Sequence, residues 1–178
     1  MDGYWQSEAY FKDFRKDILK IFNFDDLIYE KKNIDLLKKI NLTNDVCLNI
    51  RRTDHLNSDE LNVMSSKYYQ KSIDYFLRKT SDAKFFIFSD DIEWCKKKFN
   101  SDRFKIVNHE YAGKKFKNYL YLMSKFKNFI IPNSTFAWWG AWLSNDKDRI
   151  VLVPKKWSGI DHEDEIDTPL KEWIKIEN

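Results

Sequence analysis

Five short apolar runs, each separated from the next by a segment with helical spacing of apolar side chains, constrain the fold more than any other feature. Each run is apolar at consecutive positions, which is typical of strands that are buried on both faces of a sheet. The runs span residues 46–50, 84–89, 104–107, 128–131 and 149–153. Strands that alternate with helices in this way form parallel sheets with helical layers. The order therefore predicts an α/β fold, with a Rossmann-like, mainly parallel sheet and helices on both faces.

The first 45 residues contain no such run, and they are predicted to form a helical segment that precedes a Rossmann-like domain of residues 46–178. Ser7 is placed to cap a helix in this segment. The apolar residues that recur there at nearly helical spacing are Phe11, Phe14, Ile18 and Phe22. Because 43% of the chain is hydrophobic and 17% is aromatic, it can bury a sizeable core.

Charge and hydropathy restrict the partners. The chain has 31 Lys and Arg against 28 Asp and Glu, a net charge of +3. This mild charge is compatible with a phosphate-bearing ligand or an anionic membrane surface. The lysines are scattered over helical faces, so no nucleic-acid-binding surface is predicted. No run approaches about 20 apolar residues, and no apolar signal core begins the chain. We expect a cytoplasmic protein, with peripheral contact at the inner face of the membrane as an open alternative.

Polar side chains follow each of the first four apolar runs. Ligands of parallel α/β sheets bind at the carboxyl ends of the strands, so these residues form the candidate site. They are Arg51, Arg52 and Asp54 after the first run, Asp90 and Asp91 after the second, His109 after the third, and Ser134 and Thr135 after the fourth.

The adjacent arginines are the most informative pair in this set. Directly after a buried strand, one of them should enter the ligand cleft while the other points toward the packed layers. A guanidinium presents a planar fork of donors and stays charged, which suits a diphosphate. Asp54 can fix the orientation of one arginine. The alternative is a surface ion pair at the end of a strand.

The remaining polar residues allow two interpretations each. Ser134 or Thr135 can cap the following helix, or can form an anion site with the free N–H groups of its first turn. Residues 89–91 read "SDD", where Ser89 and Asp90 more simply cap a helix than bind a metal. His109 lies at a strand end, but a lone histidine is usually structural, and no His/Cys cluster has zinc spacing.

The stretch "NSTFAWWGAWLS" contains three tryptophans within five positions. Trp138 and Trp142 are four residues apart and share one helical face, which favours a core role over a ligand platform. Gly140 would let another backbone approach closely. We therefore expect the tryptophans to anchor the helix, while "NST" and Phe136 form the part of the segment that contacts a ligand.

Five stretches together resemble glycosyltransferase family 11, in particular its bacterial α-1,2-fucosyltransferases. They are "DGYWQSEAYF", "CLNIRRTDHL", "FFIFSDDIEWCKKKF", "LYLMSKFKNFIIPNSTFAWWGAWL" and "VLVPKKW", and they occur in the family's order between Asp2 and Trp157. The resemblance implies the donor-binding half of a GT-B-type enzyme. Such an enzyme transfers fucose from GDP-fucose to a galactose 2-hydroxyl of a glycan, with inversion and without an essential metal or other cofactor.

The resemblance also implies roles for individual residues. The matched positions are Arg51, Arg52 and Asp54 in one motif, Asp90 and Asp91 in a nucleotide-side acidic pair, and Ser134, Thr135 and Phe136 at the donor phosphates. Arg51 matches the family's essential arginine on the donor diphosphate, and Asp54 stands beside it as a second residue expected to act in catalysis. The group that deprotonates the acceptor stays open between Asp54 and His109.

The chain departs from the family pattern at four positions. Many members have His where this chain has Asn49, Gly at Thr53, Asp at Tyr119 and Cys at Phe126. No stretch resembles the "GGLGNQ" strand and turn with which the family normally begins. We therefore expect a donor-binding part whose acceptor-side N-terminal lobe is missing. The alternative is a non-catalytic remnant that binds a GDP-sugar and transfers nothing.

Overall fold

The computed structural model describes residues 7–22, 24, 30–41, 43–58, 64–157 and 167–178. Its strands are β1 (Val46–Ile50), β2 (Phe85–Ser89), β3 (Phe104–Ile106), β4 (Asn128–Ile130), β5 (Ile150–Pro154) and β6 (Ile174–Ile176). They form one sheet in the order β3-β2-β1-β4-β5-β6, and every neighbouring pair is parallel. All five predicted runs are strands of this sheet, so the predicted Rossmann-like fold is confirmed. The sixth strand was not predicted.

Helices cover both faces of the sheet. Within the described residues the α-helices are α1 (Arg15–Ile21), α2 (Lys31–Leu37), α3 (Ser66–Lys79), α4 (Ile92–Lys98), α5 (Lys117–Met123) and α6 (Thr135–Trp142). None of these helices is long and apolar enough to cross a membrane.

Successive side chains of β1 enter two different cores, because neighbouring residues of a strand point to opposite faces. Leu48 and Ile50 pack in a cluster that includes residues of α3 and α4, whereas Cys47 packs in a cluster that includes residues of α5 and α6. All five residues of β1 are buried. Burial on both faces explains why consecutive positions of this strand are apolar.

The tryptophans of α6 belong to the core, as predicted. Trp138 and Trp142 are completely buried, and their rings stack 6.1 Å apart at an angle of 10°. The third, Trp139, is half-buried and stacks on Phe11 at 5.4 Å. Trp138 Nε1 donates a 2.6 Å hydrogen bond to the carbonyl of Thr168, so its polar atom is satisfied inside the core.

Gly140 allows a close contact between α5 and α6, although its nearest neighbours are side-chain atoms of Met123 and not the backbone that the sequence indicated. A Cβ atom at this position would lie 2.7 Å from Cε and 3.2 Å from Cβ of Met123. Both distances are shorter than an ordinary carbon–carbon contact, so the helices could not keep this separation with a larger residue. The last turn of α6 therefore packs tightly against the end of α5.

The N-terminal segment is less regular than its spacing predicted. Two 3-10 turns, Glu8–Tyr10 and Lys12–Phe14, precede α1, and Ser7 caps the first by accepting from Ala9 N at 3.2 Å. Phe14, one of the four apolar residues at nearly helical spacing, is exposed. Packing among the tryptophans overrides the local pattern, because the Phe11 ring contacts all three of them. The division into residues 1–45 and 46–178 stays a prediction.

Candidate functional site

The strand order places a crevice between the ends of β1 and β4. From β1 the chain continues outward to β2 and β3, and it then returns to the opposite side of β1 as β4. The crossover that follows β1 therefore runs toward β2, whereas the one that follows β4 runs the opposite way toward β5. Ligands of such sheets bind at this reversal, outside the carboxyl ends. Arg51 and Arg52 follow β1 at this point, and Asn133 and Ser134 follow β4.

Asp90 shapes the loop that carries the arginines. Its carboxylate accepts hydrogen bonds from Arg52 N at 3.0 Å, from Thr53 N at 3.0 Å and from the Thr53 hydroxyl. Arg51 Nη1 lies 3.4 Å from the same carboxylate, whose side chain is only 10% exposed. A buried carboxylate needs such donors to be stable, and here they come from one neighbouring loop. Asp90 therefore ties the end of β2 to the loop after β1.

Arg51 is the more exposed of the two arginines, at 38% of its side chain. Its Nη2 donates a 2.7 Å hydrogen bond to Asp54. This bond lowers the pKa of the Asp54 carboxyl below its usual value, and the positive charge of Arg51 adds to the effect. Asp54 therefore holds the orientation of Arg51, as the sequence indicated. A carboxylate with a lowered pKa is also a weak proton acceptor at neutral pH.

The Arg52 side chain packs against Asp91 and Trp94. Its Nε lies 3.3 Å from an Asp91 oxygen, and its guanidinium carbon lies 4.0 Å from the centre of the Trp94 ring. Its side chain is 17% exposed. The cation–π contact and the ion pair fix Arg52 between α4 and the loop. The adjacent arginines thus differ in the way the sequence predicted, with Arg51 available to the crevice and Arg52 turned into the packed layers.

The helix cap after β2 is Asp91. Its Oδ1 accepts from Trp94 N at 3.0 Å and so caps α4, while Ser89 Oγ accepts from Asp91 N. The prediction that Ser89 and Asp90 cap this helix is therefore wrong by one residue. The reason is that Asp90 is already committed to the backbone of the loop after β1.

The segment after β4 supplies the start of α6. Ser134 caps the helix by accepting from Ala137 N at 3.4 Å, and its side chain is buried. Thr135 is exposed, and Phe136 is half-buried and packs against the core. The capping interpretation of Ser134 is confirmed, whereas an anion site at this turn stays a prediction. The Tyr68 hydroxyl, which the sequence did not single out, lies 2.6 Å from the carbonyl oxygen of Ile131 and 3.2 Å from that of Leu152, and so joins the residue after β4 to the middle of β5.

His109 begins a 3-10 turn, His109–Tyr111, close to the end of β3. Its Nε2 lies 2.9 Å from the carbonyl oxygen of Ser89. A carbonyl only accepts, so Nε2 carries a proton in this contact. The ring also meets Phe116 edge-on, with centroids 5.7 Å apart. His109 is thereby held beside the residues that end β2.

The site residues come together in two groups. Arg51 pairs with Asp54 and Asp90, and Arg52 pairs with Asp91. The hydrogen bond from Arg52 N to Asp90 joins the two sets. His109 joins this set through the backbone of Ser89. Ser134, Thr135 and Phe136 lie across the crevice on the β4 side, at the start of α6. Among the described residues, no group of three His, Cys, Asp or Glu side chains could hold a metal ion.

The chain is similar to known proteins over nearly its whole length. The statistical model of one family, described as "Glycosyl transferase family 11", matches residues 1–177. This chain belongs to glycosyltransferase family 11. An "Alpha-1,2-colitosyltransferase" from Escherichia coli is 35% identical over 98% of this chain, and the "O-antigen biosynthesis glycosyltransferase WbnK" from the same organism is 32% identical over 98%. The chain spans 61% and 59% of the lengths of these relatives.

The positions where this family 11 chain departs from the family pattern all have structural contacts. Asn49 Nδ2 donates to the Phe88 carbonyl at 3.2 Å, across β1 and β2. Thr53 donates both its N–H and its hydroxyl to Asp90. The Tyr119 hydroxyl donates to the carbonyl of Val107 after β3, and Phe126 packs beside Phe86 and Phe88 in the core. Each of these four residues is therefore held by contacts with other residues of this chain.

Proposed function

We propose that this family 11 chain binds GDP-fucose and transfers fucose to a galactose 2-hydroxyl of a glycan, forming an α-1,2 linkage with inversion. The observation that carries the proposal is Arg51, which Asp54 and Asp90 hold at the reversal of a parallel sheet. The family membership and the α-1,2 linkage named for one relative support it.

Arg51 is the proposed contact for the donor diphosphate. In the free protein its Nη2 is bound by Asp54, whose side chain is half exposed. A diphosphate would take the place of Asp54 on this fork, while Asp90 continues to hold the other nitrogen. The N-terminus of α6, across the crevice, would add free N–H groups and the positive end of the helix dipole. No metal or other cofactor is part of this proposal.

Transfer breaks the bond between the anomeric carbon and the diphosphate oxygen, which keeps the electron pair. The acceptor oxygen forms the new bond from the opposite face, and its proton passes to a base. Negative charge therefore builds on the diphosphate, where Arg51 stabilises it. Asp54 is better suited to holding Arg51 than to accepting the proton, because its pKa is lowered.

A second candidate function is GDP-sugar binding without transfer. It is favoured by one observation, namely that the chain spans about three fifths of the length of the relatives it matches. Colitose is an alternative to fucose as the donor sugar, since one relative is named for colitose. Both questions are settled by measurement on the chain itself.

The test is calorimetric titration with GDP, GDP-fucose and UDP, followed by a transfer assay on a β-galactoside acceptor. We expect GDP and GDP-fucose to bind more tightly than UDP, and an α-1,2-fucosylated product to appear. Nucleotide-activated colitose, assayed in parallel, ranks the two donors by kcat/KM. Tight GDP binding with no product from either donor would replace the transferase proposal by the binding one. No binding of any nucleotide would overturn both.

A further inference from the structure

The Phe116 side chain is partly exposed to solvent at the carboxyl edge of the sheet. Phe116 ends the 3-10 turn Lys114–Phe116, which follows β3 and leads into α5. Its side chain is 43% exposed, although its ring lies edge-on to His109 and Tyr119, each at 5.7 Å. The two neighbours support one side of the ring and leave the remainder open.

The backbone at this position is strained. Lys115 has φ 52° and Phe116 has φ 59°, so two consecutive non-glycine residues adopt the left-handed conformation. This region is unfavourable for residues with a bulky Cβ substituent, and glycine or asparagine usually occupies it. Strain of this kind persists where the surrounding structure enforces it, and it clusters at ligand sites. An exposed phenylalanine contributes little to the core that could offset such strain.

A continuous set of contacts connects Phe116 to Arg51. Phe116 packs on His109, whose Nε2 binds the carbonyl of Ser89 at the end of β2. The next residue, Asp90, binds the loop that carries Arg51. The end of β3 lies two strand spacings, about 10 Å, from the end of β1. In a nucleotide, the ribose separates the base from the diphosphate by a similar distance.

We propose that Phe116 is the stacking platform for the base of the nucleotide donor, with the diphosphate at Arg51. This assignment rests on the proposed function of the same site. The open part of the ring offers a flat apolar surface, and a nucleobase stacks on such a surface through its π-face. His109 and Tyr119 fix the ring, so little side-chain freedom is lost on binding. A purine covers more of the ring than a pyrimidine does.

The experiment compares the wild type with Phe116→Ala, Phe116→Trp and Phe14→Ala by calorimetry, using GDP and inorganic diphosphate as ligands. Phe14 is a matched control, because it is also an exposed phenylalanine. It precedes Arg15, which binds the carbonyls of Trp142 and Ser144 at the opposite end of α6. Thermal melts without ligand confirm that each variant is folded.

Phe116→Ala should weaken GDP binding roughly 5- to 100-fold, the usual effect of removing an aromatic platform from a base. Its affinity for inorganic diphosphate should not change, because that ligand has no base. Phe116→Trp should retain the affinity for GDP, and Phe14→Ala should match the wild type.

Three results would overturn the assignment. Unchanged GDP affinity in Phe116→Ala removes Phe116 from the site while leaving the proposed function intact. Equal losses for GDP and inorganic diphosphate assign Phe116 to shaping the arginine loop instead of stacking. A wild type that binds neither ligand overturns this inference and the proposed function together.

Discussion

Arg51 and Arg52 are adjacent in the chain, yet they have different surroundings. Arg52 is enclosed by Asp91 and the Trp94 ring, whereas Arg51 keeps an exposed guanidinium beside Asp54. Because the folded-state pKa of Asp54 is lowered, the stability from this pair is fully present above the carboxyl's unfolded pKa. It is lost as the pH falls through the lowered folded value. At neutral pH the pair is therefore formed, and Arg51 is preorientated for an anion.

Replacing Arg51 tests its contact with the diphosphate. Arg51→Ala should weaken GDP binding roughly 10- to 100-fold, because a charged hydrogen bond contributes about 1.5–3 kcal/mol and about 1.4 kcal/mol is a factor of ten. Arg51→Lys should recover only part of the affinity, since an ammonium keeps the charge but loses the fork. The measurement is GDP calorimetry, with thermal melts of the ligand-free variants.

Arg103→Ala is the matched control for this charge change. Arg103 donates to the carbonyls of Ser81 and Ala83, which precede β2 at the opposite edge of the sheet. Its removal should leave GDP affinity unchanged. Equal affinities in wild type, Arg51→Ala and Arg51→Lys would remove Arg51 from the site. A collapsed melting temperature in Arg51→Ala would make it a structural ion-pair residue.

At the scale of elements, Asp90 connects two loops of the sheet edge. It follows β2, but its hydrogen-bond donors belong to Arg52 and Thr53 after β1. The neighbouring Asp91 caps α4 and also binds Arg52. Two consecutive carboxylates therefore fix the arginine loop from the β2 side. A nucleotide contact by either residue stays a prediction.

Asp90→Asn should lower both stability and GDP affinity. An amide keeps one acceptor but turns a donor toward the N–H groups of the loop, so at least one charge-assisted bond is lost, costing about 1.5–3 kcal/mol. Urea unfolding without ligand and GDP calorimetry are the two measurements. Asp148→Asn, at an exposed carboxylate, is the control and should change neither. Lost affinity with unchanged ligand-free stability would show that Asp90 touches the nucleotide instead of holding the loop.

The sequence predicted the strands well, because burial on both faces leaves a run of apolar residues that needs no tertiary information. The sequence did not predict β6, because this strand lies at the edge of the sheet and has no continuous apolar run: Ile174 and Ile176 alternate with an exposed Lys175. At the site, the different orientations of the two arginines were predictable from their place after β1, although that place did not show which of them is exposed. The contact of Arg52 with Trp94 was not, because no local pattern links residues 42 positions apart.

At the scale of the whole molecule, the strand order decides where a ligand can bind. The connections that follow β1 and β4 run in opposite directions, to β2 and to β5, and in sheets with this reversal the two loops separate and leave a crevice between them. The arginine pair follows β1 and the start of α6 follows β4, and these two strands are neighbours in the sheet. The two groups therefore lie on opposite sides of the crevice. Positive charge is thus supplied from both sides by the protein itself.

This arrangement predicts that donor binding does not depend on a divalent cation. The three aspartates near Arg51 are Asp54, Asp90 and Asp91, and each already accepts from a backbone N–H group and from an arginine. A cation that recruited them would have to displace those donors, while the diphosphate charge is met by Arg51 and the helix terminus. GDP affinity and the rate of fucosyl transfer should therefore be unchanged in EDTA. The measurement is GDP calorimetry and the transfer assay in EDTA, then in excess manganese or magnesium. Binding that disappears in the chelator and returns with either metal would show that a cation bridges the carboxylates and the diphosphate.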